Sequence, residues 1–210
     1  VINEEFGFRP DKVEDRARLY ALSKIAQETV MRIYDEMSKK IYGVVRTGSV
    51  LGKGMPEKTA ASMFITEGLK GKPLTPYRHS MHRPMLYVDI KDVCNAFEAY
   101  IEKILKEEMR KEEASHLVNL CWPEPLTVLE LAMIIRDAII RHSNGRIKPE
   151  IKIVDRGLPV LFTPQDKDLI KIDISKVKSC LGLKKMTDPK ETLEKIVKER
   201  EVSFNPSIGH

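Results

Sequence analysis

The sequence alternates between a helical hydrophobic period and short β-branched runs, and this alternation constrains the fold more than any other feature. Between residues 15 and 39 the apolar side chains that recur every three or four residues are Leu19, Leu22, Ala26, Val30, Ile33 and Met37. This period predicts an amphipathic helix. The apolar run 41–45 follows at once and ends near Gly48, which is typical of a buried strand in a parallel sheet. A helix followed directly by such a strand predicts an α/β fold.

The same alternation continues towards the C-terminus. Further helices are predicted at residues 56–69, 89–111, 127–142, 173–182 and 188–198. Capping residues, prolines and glycines bound these apolar periods, and Thr127 and Glu130 have the spacing of a capping box. Short strands are predicted at residues 72–77, 85–88, 117–120 and 151–154.

The charge pattern argues against a nucleic-acid-binding protein, although the net charge is +5 and the pI is near 9.0. Basic residues alternate with acidic ones, as in residues 107–113, and mixed-sign runs are typical of a solvated helix face. The most apolar run, residues 128–140, contains Glu130, Arg136 and Asp137. We therefore expect no signal peptide and no membrane span.

The chain has three cysteines, an odd number without Cys-x-x-Cys spacing. This pattern argues against a disulfide framework and against a zinc site, and we expect a cytoplasmic protein with reduced thiols. Cys94 is expected to be a small core residue, and Trp122 a packing anchor. His79 and His82 have no acidic or cysteine partner close in sequence, so we expect no metal.

Tyr20 and Lys24 form the strongest local signal for catalysis. Residues four apart share one face of a helix, so a phenol and an ammonium would lie side by side. The positive charge of Lys24 would favour the phenolate form of Tyr20, as an acid/base pair requires. The alternative is a partly buried tyrosine beside a surface lysine.

Five segments together resemble the extended short-chain dehydrogenase/reductase family, which contains nucleotide-sugar epimerases and dehydratases. Tyr20-Ala-Leu-Ser-Lys24, with Glu28 beyond it, is similar to that family's Tyr-x-x-Ser-Lys-x-x-x-Glu helix. The other segments are Val45-Arg-Thr-Gly-Ser-Val-Leu-Gly52, Arg83-Pro-Met-Leu-Tyr-Val-Asp89, Asn119 with Thr127-Val-Leu-Glu-Leu-Ala132, and Asp173-Ile-Ser-Lys-Val-Lys-Ser-Cys-Leu-Gly182. They occur in the family's order and cover nearly the whole chain.

The resemblance implies both a fold and an activity. Residues 1–72 would be the C-terminal portion of a Rossmann-type parallel sheet, and residues 73–210 a smaller mixed α/β substrate-binding lobe. The activity would be NAD-dependent epimerase or dehydratase chemistry on a nucleoside-diphosphate sugar. Tyr20 would be the acid/base at the sugar hydroxyl, and Lys24 would bind the nicotinamide ribose. The cofactor-binding residues implied are Tyr20, Lys24, Thr47, Gly48 and Ser49.

The substrate-binding residues implied by the resemblance are Ser49, Arg83 and Asp166. Arg83 would bind the nucleotide portion of the substrate, since a guanidinium suits a diphosphate; the alternative for Arg83 is a surface ion pair. The sequence departs from the family pattern at Thr47 and Ser49, where proline and asparagine are usual. It also has Thr163-Pro-Gln-Asp166 in place of Arg-Pro-Gly-Asp, so a second phosphate-binding arginine is missing there unless Arg156 replaces it.

The glycine-rich dinucleotide fingerprint, which cradles the cofactor pyrophosphate, does not occur in the sequence, and the first residue is Val1 rather than methionine. We expect that the N-terminal half of such an enzyme is missing and that this chain alone neither holds NAD tightly nor turns over. The alternative function is a non-catalytic sugar-nucleotide-binding or assembly module. The resemblance also implies a homodimer formed through the helix that carries Tyr20.

Overall fold

The computed structural model of the chain describes residues 1–7, 15–106 and 116–204. Helices and strands alternate in it, which confirms the predicted α/β class. The elements are α1 (Asp15–Met37), β1 (Val44–Thr47), β2 (Ser49–Leu51), α2 (Ala60–Leu69), β3 (Pro84–Met85), β4 (Tyr87–Asp89), α3 (Ile90–Leu105), β5 (Leu117–Leu120), β6 (Leu126–Thr127), α4 (Val128–His142), a 3-10 helix (Pro164–Leu169), α5 (Ser175–Leu181) and α6 (Pro189–Phe204).

The strands form three two-stranded sheets. β1 pairs with β5 and β2 with β4, both in parallel, whereas β3 and β6 are antiparallel. Only Gly48 separates β1 from β2, and the chain changes partner there: Gly48 donates its N–H to Leu120 O over 3.1 Å, and Ser49 donates its N–H to Leu86 O over 2.7 Å. A Cβ at Gly48 would lie 2.9 Å from Leu86 O and 3.0 Å from the Cβ of Cys121. Glycine is therefore the residue that fits this crossing.

Helices α1 and α3 cover opposite faces of the β1–β5 pair. Successive side chains of a strand point to opposite faces. Arg46 of β1 reaches Glu28 on α1, whereas its neighbour Val45 packs into the hydrophobic cluster that contains Ala96 and Tyr100 of α3. The result is a small three-layer α/β/α unit.

The described residues form two apolar core clusters. One joins α2, α4 and α6, with Ile65, Leu131, Ile135 and Leu193 fully buried. The other lies between α3, α5 and β5. Because α2 packs against α4 and α6, and β5 pairs with β1, contacts cross residue 72 in both clusters. The division into 1–72 and 73–210 stays a prediction.

The predicted helix over residues 15–39 is confirmed as α1, but its apolar period faces outwards. The exposed apolar side chains include Leu19, Leu22, Val30, Ile33 and Met37. The face turned towards the rest of the protein is smaller and more polar, with Ala21, Ile25, Glu28, Met31 and Asp35 buried or half-buried. The period therefore identified the helix and not the side that packs on the sheet.

The strands predicted at residues 72–77 and 151–154 are reduced to isolated bridges. Leu74 pairs with Ile151 and Tyr77 with Val154, both in parallel. Prolines at positions 73 and 76 lack the N–H that a continuous ladder requires. Two further boundaries differ from the prediction: β1 begins at Val44 rather than at residue 41, and α6 extends beyond the predicted end at residue 198. Residues 107–111 of the helix predicted over 89–111 lie outside the described residues.

The prediction that Cys94 is a core residue is wrong, because its side chain is exposed. The core-facing residues of α3 are Asp92, Ala96 and Tyr100, spaced four apart. Cys94 is two positions from Ala96, and two positions correspond to about 200° around a helix. Trp122, by contrast, packs against the second cluster as predicted.

The three cysteines are free thiols, and we predict that they react very differently. Burial raises the pKa of the Cys121 thiol to about 12, so only about one molecule in 10⁴ carries its thiolate at pH 8. A disulfide reagent at pH 8 should therefore modify Cys94 rapidly and Cys121 only after denaturation. The modified positions are identified by peptide mass spectrometry. In a control variant with Cys94 and the half-buried Cys180 both replaced by serine, the fast phase should disappear; rapid modification of Cys121 in the folded variant would contradict the prediction.

Candidate functional site

Tyr20 and Lys24 lie one turn apart near the N-terminus of α1. The Nζ of Lys24 is 5.7 Å from the centroid of the Tyr20 ring and donates a hydrogen bond to Gln27 Oε1 over 3.1 Å. Tyr20 is 68% exposed, so its hydroxyl is open to a ligand. The ammonium and the phenol are thus neighbours, and their catalytic roles stay predictions.

Glu28, one turn beyond Lys24, connects α1 to β1. Its carboxylate accepts two hydrogen bonds from Arg46, from Nε over 2.9 Å and from Nη2 over 2.6 Å. Glu28 is only 7% exposed. Further along α1, Asp35 accepts a hydrogen bond from the N–H of Tyr42 over 2.8 Å. Since Asp35 meets residue 42 and Glu28 meets residue 46, α1 runs antiparallel to β1.

This direction determines where the N-terminal part of α1 lies. Lys24 and Tyr20 precede Glu28 by four and eight residues, which is about 6 and 12 Å along a helix axis. They therefore extend beyond Arg46, towards the carboxyl end of β1. That end continues into Thr47, Gly48 and Ser49. The predicted catalytic helix and the predicted cofactor loop approach the same end of the sheet.

Thr47 and Ser49 are exposed at this end, next to the carboxyl end of β5. Ligands of open parallel sheets bind outside the carboxyl ends of the strands. The backbone groups and hydroxyls here are thus suitably placed to meet a ligand.

Arg83 lies near the strand pair that carries Ser49. Burial raises the pKa of Tyr87 to about 12, and the positive charge of Arg83 opposes that rise, so the guanidinium lies within electrostatic reach of the phenol. Tyr87 is the register partner of Ser49 in the β2–β4 pair. Two of the three predicted substrate-binding residues therefore adjoin one pair of strands.

Asp166 makes a local structural contact. Its Oδ2 accepts a hydrogen bond from the N–H of Thr163 over 2.6 Å, at the start of the 3-10 helix. The substrate role predicted for Asp166 stays a prediction.

A cluster formed by Tyr77, His79 and Arg156, which we call the Tyr77–Arg156 cluster, was not predicted as a unit. The guanidinium carbon of Arg156 lies 5.1 Å from the centroid of the Tyr77 ring. Tyr77 stacks on His79, with ring centroids 5.8 Å apart and planes at 17°. An ion pair of 2.7 Å between Arg78 and Asp155 connects the two segments. The sequence offered Arg156 as a possible replacement for a missing arginine, but its contact with Tyr77 depends on long-range pairing.

Within the described residues no group of three or more His, Cys, Asp and Glu side chains is placed to hold a metal ion. Nor is any helix among them long and apolar enough to cross a membrane.

Comparison with known proteins decides the family. The model of the NAD dependent epimerase/dehydratase family matches residues 4–112. The chain belongs to this family. A comparison with curated proteins gave no match.

Solved structures of UDP-sugar 4-epimerases share the fold. UDP-glucuronic acid 4-epimerase from Bacillus cereus, in complex with UDP-glucuronic acid and NAD, matches with a TM-score of 0.62 and 17% identity, over 94% of this chain and 58% of that chain. UDP-N-acetylglucosamine 4-epimerase from the same organism matches with a TM-score of 0.64 and 17% identity, over 97% of this chain and 59% of that chain. The UDP-glucose 4-epimerase of Thermus thermophilus, solved with NAD, matches with a TM-score of 0.62 and 18% identity, over 95% of this chain and 59% of that chain.

These matches confirm the predicted resemblance to short-chain dehydrogenase/reductase enzymes and the Rossmann-like α/β fold. The chain spans slightly less than three-fifths of the length of those structures.

Proposed function

We propose that the protein takes part in NAD-dependent epimerase or dehydratase chemistry on a nucleoside-diphosphate sugar. The contact between Glu28 and Arg46 is the observation that supports this most directly. Together with the contact between Asp35 and Tyr42, it sets the direction of α1, so that the helix extends through Lys24 and Tyr20 towards the carboxyl end of β1. The proposed acid/base pair and the proposed cofactor loop would be needed together at that end.

The roles proposed for the side chains come from the family resemblance, and the chemistry of the side chains suits them. Tyr20 takes the proton from the sugar hydroxyl that is oxidised and returns it after reduction. Lys24 favours the phenolate by its charge and donates hydrogen bonds to the nicotinamide ribose. NAD, if bound there, would supply reversible hydride transfer at the sugar carbon.

The chemistry of the described residues supports a site for one end of this cofactor. Exposed hydroxyls and backbone groups of Thr47 and Ser49, beside the Lys24 side of α1, suit the nicotinamide ribose and amide. The glycine-rich cradle for the pyrophosphate has no counterpart in the sequence, so NAD affinity is proposed only for an enzyme that also contains such a cradle.

The substrate is proposed to bind through Arg83, Ser49 and Asp166, with the Tyr77–Arg156 cluster as a further contact surface. A guanidinium matches the geometry of a diphosphate, and the half-exposed Tyr77 ring offers an apolar face.

A homodimer is also proposed, with the outward stripe of α1 as its contact. Leu19 and Met37 at the two ends of this stripe are each 82% exposed, and exposed apolar patches of this kind mark interaction sites. Three free thiols support a reducing compartment such as the cytoplasm.

Calorimetric titration with UDP-glucose, UDP-N-acetylglucosamine and UDP-glucuronic acid tests the substrate class. We expect at least one to bind, and Arg83→Ala to weaken it by about tenfold to a hundredfold, because one charge-assisted contact to phosphate is worth roughly 1.5–3 kcal/mol. Arg141→Ala is the matched control, since it removes an exposed arginine of α4 that pairs with Glu194 of α6, and this variant should bind the sugar nucleotide normally. Failure of every sugar nucleotide to bind would contradict the proposed substrate class. Binding without any sugar interconversion by the complete protein with NAD would favour the non-catalytic module.

A further inference from the structure

We propose that Arg46 is a positioning residue: it holds the helix of Tyr20 and Lys24 in a defined register against the loop Thr47–Gly48–Ser49. The catalytic importance of this restraint rests on the proposed function, whereas the restraint on α1 can be measured without turnover.

Arg46 stands at the junction of both parts of the candidate site. It immediately precedes Thr47 in the chain, so it is continuous with the predicted cofactor loop. Its guanidinium donates two hydrogen bonds to Glu28, which is one turn from Lys24 on α1. One side chain therefore connects the predicted catalytic helix to the predicted loop.

The connection extends to two more segments. The Nη1 of Arg46 donates to the backbone O of Glu4 over 3.1 Å, and the carboxylate of Glu4 accepts the N–H of Asn119 over 2.8 Å. Asn119 is the register partner of Arg46 in the β1–β5 pair. Glu4, Glu28 and Asn119 are all 7% exposed. The guanidinium is thus fixed from several sides within a largely buried polar network.

Another polar anchor of α1 among the described residues lies further from Tyr20 than Glu28 does. Asp35 bonds to Tyr42 and to the ring of His116 over 2.8 Å each, but it is fifteen residues beyond Tyr20. The outward apolar stripe of α1 is largely exposed. The Glu28–Arg46 pair therefore restrains rotation and sliding of the N-terminal half of α1. A bidentate pair restrains rotation as well as distance, which a single point contact does not.

The substitutions Arg46→Lys and Arg46→Met separate the effect of the charge from the effect of the two parallel hydrogen bonds. Lysine keeps the charge but cannot form two parallel hydrogen bonds, and methionine removes both. Spin labels at Ser23 and Lys53, two exposed positions outside the network, report the distance between α1 and the segment after β2. The measurement is double electron–electron resonance in a background with Cys94 and Cys180 replaced by serine.

The chain offers a matched control in Arg146. Its Nη2 contacts Glu201 Oε1 over 3.1 Å and its Nε donates to Ser143 O over 3.0 Å, and Glu201 is 5% exposed. This pair resembles the Arg46 pair but joins the end of α4 to α6. Arg146→Met should lower the unfolding midpoint and leave the distance distribution unchanged.

We expect a single narrow distribution for the parent protein, a width increased roughly twofold or more in Arg46→Met, and an intermediate width in Arg46→Lys. Circular dichroism confirms that each variant is folded at the measuring temperature; if Arg46→Met is not, Arg46→Lys carries the test. An unchanged width in the folded Arg46 variants overturns the proposal, as does equal broadening in Arg146→Met. A protein that binds no sugar nucleotide can still give the expected distances. Failure of the proposed function and failure of the positioning role of Arg46 are therefore distinguishable.

Discussion

Replacement of Tyr20 by phenylalanine is expected to lower kcat of the complete enzyme by roughly 10²–10⁴-fold, the usual contribution of a positioned acid/base group. Phenylalanine keeps the ring beside Lys24 and removes only the hydroxyl that would exchange the proton. Because Tyr20 is mostly exposed, the stability of the fold should hardly change. Interconversion of the sugar nucleotide is followed by chromatography, and sugar-nucleotide affinity is measured separately by calorimetry.

Tyr34→Phe is the matched control for this substitution. Tyr34 lies on the same helix, is 55% exposed, and makes a ring contact with Tyr42 at 5.7 Å between centroids, which phenylalanine preserves. This variant should retain full activity. Tyr20→Phe with unchanged kcat, or with a loss explained entirely by weaker substrate binding, would remove Tyr20 from the proposed chemistry.

Replacement of Gly43 by alanine is expected to destabilise the fold by about 1–3 kcal/mol, the usual cost of an added methyl group in a packed site. A Cβ at this position would lie 2.2 Å from both Cζ and the hydroxyl oxygen of Tyr100. Tyr100 is buried, and its hydroxyl donates to His116 O over 2.7 Å, so the ring cannot move without losing that hydrogen bond. Urea denaturation followed by circular dichroism measures the change in unfolding free energy.

Gly7→Ala is the control, since a Cβ there meets nothing within 4 Å, and it should be close to neutral. A double-mutant cycle with Tyr100→Leu identifies the cause. Leucine removes the ring atoms that overlap, so Gly43→Ala should cost markedly less in that background. Equal costs in both backgrounds would show that the overlap with Tyr100 is not the reason for the loss.

Much of the local structure was determined by the sequence alone. The three- and four-residue period predicted α1, and the spacing of Thr127 and Glu130 predicted a capping box that the structure contains. The ordered motifs predicted the family. These features depend on residues within one or two turns of each other, so periodicity and capping chemistry are sufficient to read them.

Only the tertiary structure decided which surfaces those elements bury. The apolar stripe of α1 faces outwards and its polar face meets Arg46, because a buried carboxylate is acceptable when two guanidinium hydrogen bonds satisfy it. The change of strand partner at Gly48 and the contact of Arg156 with Tyr77 likewise depend on residues far apart in sequence. Local periodicity carries no information about such partners, since a helix or strand can bury either of two faces until its neighbours are fixed.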